Sequence, residues 1–250
     1  MITRKTKEDI RILAKAGSIN AFALKQVIKS IKVGVTTLDL EGVAQRTIEA
    51  RGAEPSFLGY RGYKHALCVS INDEVVHGVP SPKRKIKAGD VVGLDLGVKY
   101  QNRFTDAAAT VVVGKKTDDI RRLVEGTLQS LKEAINLIKP GVKIGDIEFI
   151  TGKVLSEHKL SPVLDLSGHG VGYNVHEEPS IKSDGMKAKG DELKEGMVLA
   201  IEPMATLGQG AIEVLPDGWT IATKDGSIAA HFEHTVVVTK SGSRILTGTS

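Results

Sequence analysis

The sequence predicts an α+β fold in which helices cover one face of a largely antiparallel sheet. Three observations support this class. The 250 residues have an ordinary globular composition, long amphipathic segments precede groups of short β-rich runs, and part of the first half recurs 107 residues later. Because the helices are grouped before the strands, instead of alternating with them singly, an α+β arrangement is favoured over a parallel sheet.

The composition excludes several classes of protein. Charged residues make up 26% and hydrophobic residues 41% of the chain, values that do not fit a disordered, collagenous or membrane-spanning protein. Cys68 is the only cysteine, so no intramolecular disulfide can form, and we expect a reducing, cytoplasmic location. Residues 1–11 are charged and lack an apolar core, which predicts neither a signal peptide nor a membrane anchor.

The first half is predicted to begin with two helices. Thr6 and Asp9 are spaced as a capping box before the first helix, whose apolar residues up to Ile31 fall on one face. Gly34 predicts a turn, and a second amphipathic stretch then runs to about Ala50. β-rich runs follow at 91–95 and 110–113.

The second half is predicted to repeat this order. A long amphipathic helix runs from Ile120 to Ile138, Gly141 supplies the turn, and a second helix extends to about Glu157. β-rich runs follow at 198–202, 212–215 and 234–238. No Pro- or Ser-rich linker separates the halves, so we predict one domain over residues 1–250.

The repeat is clearest where each first helix turns into the second. Residues 31–43 and 138–150 share six identities in thirteen positions at an offset of 107. Such self-similarity indicates two copies of one helix-then-strand unit. We predict pseudo-symmetric halves over about 5–113 and 118–240, related by a pseudo-twofold axis.

The repeat also relates four acidic residues. The same offset places Asp95 on Glu202, each at the expected end of a β-rich run. Asp106 resembles Glu233 once an insertion of twenty residues in the second half is allowed. One acid at a strand end is usually solvated or capping, but unrelated surface acids have no reason to recur at equivalent positions. A pseudo-twofold would bring all four carboxylates together.

Four carboxylates in one interior site predict bound cations. They repel each other and lose hydration, and two divalent ions would balance their charge. His169, flanked by Gly168 and Gly170, is well placed to add an imidazole ligand, because the bare backbone allows close approach. Oxygen-rich ligation with one imidazole suits Mn, Fe(II), Co or Zn, and the sequence does not choose among them.

At these residues the chain resembles the type I methionine aminopeptidases, metallopeptidases of the pita-bread fold. The resemblance extends from the first helix to about Val238 and rests on motifs spread over the chain. These motifs are Tyr60-Arg61-Gly62-Tyr63, Ser70-Ile71-Asn72, Val76-His77-Gly78-Val79-Pro80, Asp95-Leu96-Gly97, Phe104-Thr105-Asp106, Gly168-His169-Gly170, His176-Glu177-Glu178-Pro179, Ile201-Glu202-Pro203, Asp217-Gly218-Trp219 and Glu233-His234-Thr235.

The resemblance implies a dinuclear metal site whose ligands are Asp95, Asp106, His169, Glu202 and Glu233, the same set that the residues indicate. A hydroxide bridging the two metals would be the nucleophile, while the metals hold the substrate amine and polarise its first carbonyl. This activity is the hydrolytic removal of N-terminal methionine from nascent proteins whose second residue is small.

The resemblance also assigns catalytic and substrate-binding roles. His176 hydrogen-bonds the scissile carbonyl and its developing oxyanion, and His77 contacts the scissile amide nitrogen. Glu202 is both a ligand and a proton shuttle from the attacking water to the leaving amine. Without the matching sequence contexts, a structural role would be the better interpretation of either histidine.

The methionine pocket implied by the resemblance is lined by Tyr60, Tyr63, Cys68 and Trp219, an apolar and polarizable set suited to an unbranched thioether. Cys68 would be a lining residue and not a nucleophile. Three positions depart from the family pattern and leave the ligand set intact while altering the pocket: Phe57 stands where Cys is frequent, Val175 where Phe is frequent, and His231 where bacterial members often have Gln.

Two other functions remain open at this point. An aminopeptidase P or prolidase shares the fold and the five ligands, but such relatives usually carry an N-terminal domain, and the Tyr60 to Cys68 segment favours the methionine enzyme. A nonenzymatic pita-bread binding module ranks lower because all five ligands are present. A type II methionine aminopeptidase would need a helical insertion, which the interval from His176 to Glu202 is too short to hold.

The expected partners follow from the predicted reaction. Nascent chains are made at the ribosome, and a net charge of +4 is compatible with docking on RNA near the exit tunnel. In a bacterial host, deformylation of the substrate would come first. We expect a monomer that binds neither membranes nor DNA.

Overall fold

Four helices form two consecutive pairs in the computed structural model, which describes residues 2–248. The pairs reproduce the offset of the sequence repeat, because α2 and α4 begin 107 residues apart and α1 and α3 end 107 residues apart. The helices are α1 (Lys7–Ser30), α2 (Thr37–Glu49), α3 (Asp118–Leu137) and α4 (Ile144–Glu157).

The predicted capping box at the start of α1 is confirmed. The Asp9 amide donates to Thr6 Oγ1 at 3.2 Å, and the Thr6 amide donates to Asp9 Oδ2 at 2.9 Å. Thr36 and Asp39 make the same pair of bonds at α2. Each side-chain cap satisfies backbone amides that the helix leaves unpaired and is worth about 1 kcal/mol.

The described strands form four antiparallel sheets. Their orders are β1-β4-β2 with β5 also paired to β4, β13-β10-β6, β11-β12-β3, and β15-β14-β9-β7-β8. The strands are β1 (Glu54–Pro55), β2 (Cys68–Ile71), β3 (Glu74–Val76), β4 (Val91–Tyr100), β5 (Arg103–Val112), β6 (Ser161–Pro162), β7 (Ser167–Gly170), β8 (Glu177–Lys182), β9 (Val198–Ile201), β10 (Met204–Thr206), β11 (Ile212–Val214), β12 (Ile221–Thr223), β13 (Ala229–His231), β14 (His234–Val238) and β15 (Ser243–Ile245).

Strands β4 and β5 are longer than the sequence predicts. The expected strand end at Asp95 is wrong, because β4 continues to Tyr100 and pairs with β5 along its whole length. The two-residue turn at Gln101 and Asn102 has positive φ at both positions, which matches the twist of a tight hairpin. Asp95 therefore lies in the middle of a strand, whereas Glu202 does follow the end of β9.

Each helix pair packs on its own sheet. The buried face of α1 packs with α2 and with strands β2 and β4 in one core, which includes Ile19, Leu40 and Leu94 but not Leu13. A second core places α3 and α4 against β8, β9 and β14, with Leu131 and Ile147 fully buried. Helices thus cover one face of each main sheet, and the predicted α+β class is confirmed.

A seam of hydrogen bonds joins β5 of the first half to residues 231–235 of the second. At its centre the Glu233 amide donates to Ala108 O at 2.9 Å. To one side, Thr235 Oγ1 accepts from the Asp106 amide and donates to Asp106 O, both at 2.8 Å. These bonds fix the backbones of two predicted ligands relative to each other.

On the other side of the seam, the bridging threonine comes from the first half instead of the second. Thr110 Oγ1, from the first half, accepts from the His231 amide at 2.9 Å and donates to His231 O at 2.7 Å. Two threonine hydroxyls, one from each half, therefore flank the direct backbone pairing of Ala108 and Glu233. Within residues 2–248, no helix combines the length and the apolar character needed to span a bilayer.

Candidate active site

One cavity of about 340 Å³ brings together every residue predicted for the site. Its wall is formed by residues of the seam and of the two main sheets, with carboxylates and aromatic side chains both present. Two residues outside the predicted set, Phe57 and Arg61, also line it. The predicted residues on its wall are Tyr60, Tyr63, Cys68, His77, Asp95, Asp106, His169, His176, Glu202, Trp219 and Glu233.

Asp95 and Asp106 lie on the paired strands β4 and β5. Asp95 is opposite Ala108 and Asp106 is opposite Gly97, so the two carboxylates are diagonal neighbours on one face of the hairpin. Both are buried, and Oδ1 of each has no hydrogen-bond partner within residues 2–248. Burial and the nearby Asp106 and Glu202 carboxylates raise the pKa of Asp95, and burial raises the pKa of Asp106 to about 7.

Glu202 and Glu233 reach the same point from the second half. Glu202 follows β9 and Glu233 precedes β14, and these strands pair with Ile201 opposite His234. Extending this register by one residue beyond the paired strands places Glu202 opposite Glu233. Burial, followed by the Asp106 carboxylate, raises the pKa of both glutamates, and Oε1 of each lacks a hydrogen-bond partner in the part of the chain that the structure describes.

His169 presents a lone pair to this group of acids. Its Nδ1 lies 2.9 Å from Gly170 O, and because a carbonyl only accepts, Nδ1 carries the proton. Nε2 is then the unprotonated nitrogen, and it lies 3.3 Å from Glu202 Oε1. Gly170 is required here, because a Cβ at this position would stand 2.2 Å from Glu178 O. This contact agrees with the close backbone approach expected from the glycines that flank His169. Burial lowers the pKa of His169 to about 3, which keeps the ring neutral.

The cluster of acids and imidazoles has the chemistry of a metal site. Four buried carboxylate oxygens without partners, beside a neutral imidazole lone pair, leave electron-rich atoms facing one another, which a cation would satisfy. Two sets of three potential ligand atoms are present, and within each set the atoms lie within 4.8 Å of one another. Both sets include Glu233. One set is Asp106, His169 and Glu233, and the other is Glu202, His231 and Glu233. These residues fit divalent metal ions.

His176 and His77 stand beside the cluster. The ring of His176 lies 4.3 Å from that of His169, and its Nδ1 lies 3.0 Å from the Tyr60 hydroxyl. Partial burial and the charge of Arg61 lower the pKa of His176. His77 has φ of +58°, a left-handed conformation that is uncommon for residues other than glycine and concentrates at functional sites. Burial and His176 lower its pKa to about 4.

A buried ion pair fixes the loop that carries His176. Lys5 Nζ lies 2.6 Å from Glu177 Oε2, and the two side chains are only 1% and 6% exposed. Glu177 Oε1 also accepts from the amides of Tyr173 and Asn174. The segment before α1 thereby holds the residue next to His176, a contact that no local sequence pattern predicts, since the two positions are 172 residues apart.

The other end of the cavity is an apolar pocket. Phe57, Tyr63, Cys68 and Val175 form one buried cluster, and Trp219 packs edge-on against Tyr63 at 5.0 Å. Burial and the Asp95 carboxylate raise the pKa of the Cys68 thiol, so it stays protonated and suits a lining role.

Two residues of the cavity were not predicted as site residues for different reasons. Phe57 differs from the family pattern at its position, and only the structure shows that its ring packs beside Gly97 and lines the cavity. Arg61 lies in one of the family motifs, but nothing in the sequence distinguishes an arginine that lines a cavity from one that is only solvated. His231, noted only as a departure, lies buried beside Glu202.

Comparison with known proteins agrees with this geometry. Residues 11–240 match the sequence model of metallopeptidase family M24. The chain therefore belongs to metallopeptidase family M24, and its pita-bread fold is the predicted one. Within that family its full-length relatives are methionine aminopeptidases. The Aquifex aeolicus enzyme is 44% identical over 250 residues, covering 97% of each chain.

Solved structures separate the two enzyme classes considered for this fold. The crystal structure of a methionine aminopeptidase from Thermotoga maritima matches all of both chains with a TM-score of 0.98 and 42% identity. The prolidase of Pyrococcus furiosus matches with a TM-score of 0.80 and 28% identity, and only 66% of its chain is covered. Prolidases are thus the more distant relatives.

Proposed function

We propose that this chain is a methionine aminopeptidase that removes N-terminal methionine when the second residue is small. The observation that carries the proposal is one cavity in which an apolar pocket adjoins a cluster of carboxylates and imidazoles. Cys68 of the pocket lies directly opposite Asp95 of the cluster in the β2–β4 register. A substrate side chain in the pocket therefore has its backbone beside the acids. Full-length similarity to methionine aminopeptidases supports the same function.

The proposed cofactor is a pair of divalent ions held by Asp95, Asp106, His169, Glu202 and Glu233. Two sets of donor atoms sharing Glu233 support two ions, and carboxylates commonly bridge such pairs. When bound, the ions act as Lewis acids and lower the pKa of water toward neutrality. The donors suit Mn, Fe(II), Co or Zn.

The apolar pocket selects the first side chain of the substrate. Tyr60, Tyr63, Cys68 and Trp219 line it, with Phe57 closing one wall. Aromatic rings and a thiol make favourable contacts with a thioether, and a flexible unbranched side chain fits an irregular apolar space. Lysine or glutamate would lose the hydration of its charge there without gaining a partner. The restriction to a small second residue follows the family resemblance.

His176 is proposed to bind the scissile carbonyl oxygen. With the Tyr60 hydroxyl donating to Nδ1, the proton of the ring lies on Nε2, which can donate to that oxygen. A donor held in place before the reaction stabilises the negative charge that develops on the oxygen. His77, on the same cavity wall, is proposed to contact the scissile amide nitrogen.

Glu202 is proposed to move the proton. Its carboxylate follows β9 with Oε1 3.3 Å from His169 Nε2, and this oxygen has no hydrogen-bond partner among the described residues. It can take a proton from the attacking water and give it to the leaving amine, which is general base followed by general acid catalysis.

The cellular setting is proposed from the reaction and the composition. N-terminal methionine is present on new chains, so we propose nascent polypeptides in the cytoplasm as substrates, after deformylation in a bacterial host. The single cysteine and the net charge of +4 are compatible with a reducing compartment and with docking on ribosomal RNA. We also propose that the protein is a monomer.

A substrate pair tests this function. The protein is stripped of metal, reloaded with Mn(II) or Co(II), and offered Met-Ala-Ser and Ala-Pro peptides in parallel. We expect release of methionine from Met-Ala-Ser only. Cleavage of the Ala-Pro peptide alone would instead assign the chain to the prolidase class, and no cleavage with either metal would favour a binding module.

A further inference from the structure

His231 is a buried histidine that the proposed ligand set does not use. It ends β13, and its backbone amide and carbonyl are both fixed by Thr110 Oγ1. The residue is only 3% exposed, and Nε2 has no hydrogen-bond partner in the described structure. A buried nitrogen without a partner has lost its hydration and gained no hydrogen bond in return, so a partner for this atom is expected.

The unpartnered nitrogen points at the cluster of acids. Nε2 of His231 lies 3.6 Å from Glu202 Oε2, while Nε2 of His169 lies 3.3 Å from the other oxygen, Oε1. Each oxygen of Glu202 therefore faces one imidazole. Donor atoms of Glu202, His231 and Glu233 also lie within 4.8 Å of one another, as do those of Asp106, His169 and Glu233.

These separations fit atoms that share a metal ion better than atoms that share a proton. Bonds of about 2.0–2.2 Å in a tetrahedral arrangement place two ligand atoms roughly 3.3–3.6 Å apart. A hydrogen bond from an imidazole N–H to a carboxylate is shorter, about 2.7–3.2 Å. His231 and His169 thus stand in equivalent relation to Glu202, although only His169 belongs to the predicted ligand set.

We propose that His231 is an additional ligand of the metal centre through Nε2. The proposal rests on the metal site of the proposed function and adds a second imidazole to its four carboxylates. A neutral imidazole bound through Nε2 keeps its proton on Nδ1. The added nitrogen shifts the donor set toward ions that favour imidazole, such as Zn, Fe(II) and Co, and away from Mn.

Cobalt reports on this proposal directly. The full chain is loaded with Co(II), and the exchangeable imidazole N–H protons shifted by the paramagnetic ion are counted by ¹H NMR. We expect two such signals, one from His169 and one from His231. Both rings are buried, which slows exchange of their N–H protons with water. A single signal in a protein that binds cobalt would overturn the role of His231 while leaving the metal site in place.

Two matched variants complete the test. His231→Gln keeps a polar side chain that can still hydrogen-bond Glu202, and we expect it to lose one shifted signal and roughly 10- to 100-fold in cobalt affinity by chelator competition. His234→Gln is the control, because this histidine already has a partner in Thr247 at 3.0 Å. The control should keep both signals and the native affinity.

The outcomes separate this proposal from the proposed function. Unchanged cobalt affinity in folded His231→Gln would overturn the added ligand. A native chain that binds no cobalt would overturn the metal centre as a whole. If His231→Gln does not fold, the count of shifted signals in the native protein decides alone.

Discussion

The two halves of the molecule deliver their acids in different ways. In the first half, Asp95 and Asp106 lie within one continuous hairpin of two ten-residue strands. In the second half, Glu202 and Glu233 flank a segment of thirty residues that contains four short strands, β10 to β13. The first half supplies two carboxylates on a regular scaffold, because every residue between them is part of one ladder or its turn.

The inserted segment of the second half supplies functions that the first half lacks. Trp219 lies between β11 and β12 and lines the pocket, and His231 ends β13 beside Glu202. A duplicated unit therefore does not remain equivalent. The regular copy holds its two acids on one ladder, and the interrupted copy adds an aromatic residue of the cavity wall and a buried imidazole beside Glu202.

The largest expected effect comes from breaking the regular copy at Asp106. This residue belongs to the predicted ligand set, and its carboxylate lies among the other acids. We expect Asp106→Ala to lower kcat/KM for Met-Ala-Ser by more than about 1,000-fold, since even residues that only orient metal ligands contribute roughly 10- to 100-fold. Metal content should fall in parallel. A variant that kept the full rate would refute the assignment of Asp106 as a ligand.

A smaller loss is expected from the second half, at His176. We expect His176→Ala to lower kcat by about 100- to 1,000-fold, the usual effect of removing one donor to a developing oxyanion. Metal content and thermal stability should stay close to native, because the ring lies at the exposed side of the cavity. Equal losses of metal and activity would show that His176 acts through the metal site instead.

The segment before α1 connects the halves and can be tested through Lys5. We expect Lys5→Met to lower the free energy of unfolding by about 3–5 kcal/mol, since it leaves the buried Glu177 carboxylate without its partner. Urea denaturation measures this loss. The control is Lys99→Met, whose ion pair with Glu54 is exposed and should contribute less than about 1 kcal/mol. Equal losses in both variants would contradict a special role for Lys5.

The smallest effect concerns the turn of the regular copy. Gln101 and Asn102 have φ of +47° and +56°, a pair of left-handed residues for which Asn-Gly is the favoured sequence. We expect the double change Gln101→Asn and Asn102→Gly to raise stability by about 0.5–2 kcal/mol, seen as a higher Tm. Activity should not change, because the turn is remote from the cavity. A lower Tm would contradict the assigned turn geometry.

Sequence periodicity and the repeat were sufficient to predict most of the fold. The four helices, the turns at Gly34 and Gly141 and the β-rich runs rest on local patterns that the structure retains. The repeat brought four acids to one point without any knowledge of contacts. Strand lengths were less predictable, since Gly97 interrupts the apolar pattern of β4 although its lack of a Cβ makes room for Ser56 and Phe57.

Other parts of the site required the structure. Strands of two or three residues, such as β6 and β10, carry too little pattern to be seen in a sequence. The contact between Lys5 and Glu177 and the position of His231 depend on pairings over long sequence separations. In the sequence, His231 stands out only as a departure from the family pattern. Its proposed role rests on the unpartnered Nε2 and on the Glu202 carboxylate that faces it.

The threonine bridges of the seam couple metal binding to the union of the two halves. Thr235 holds the backbone of Asp106, and Thr110 holds that of His231, so donor atoms from opposite halves keep their spacing only while the seam is closed. By thermodynamic linkage, if closure of the seam increases metal affinity, bound metal stabilises the closed seam by the same free energy. Bound cations would therefore stabilise the closed seam, and their removal should loosen the molecule first along the line where its two halves meet.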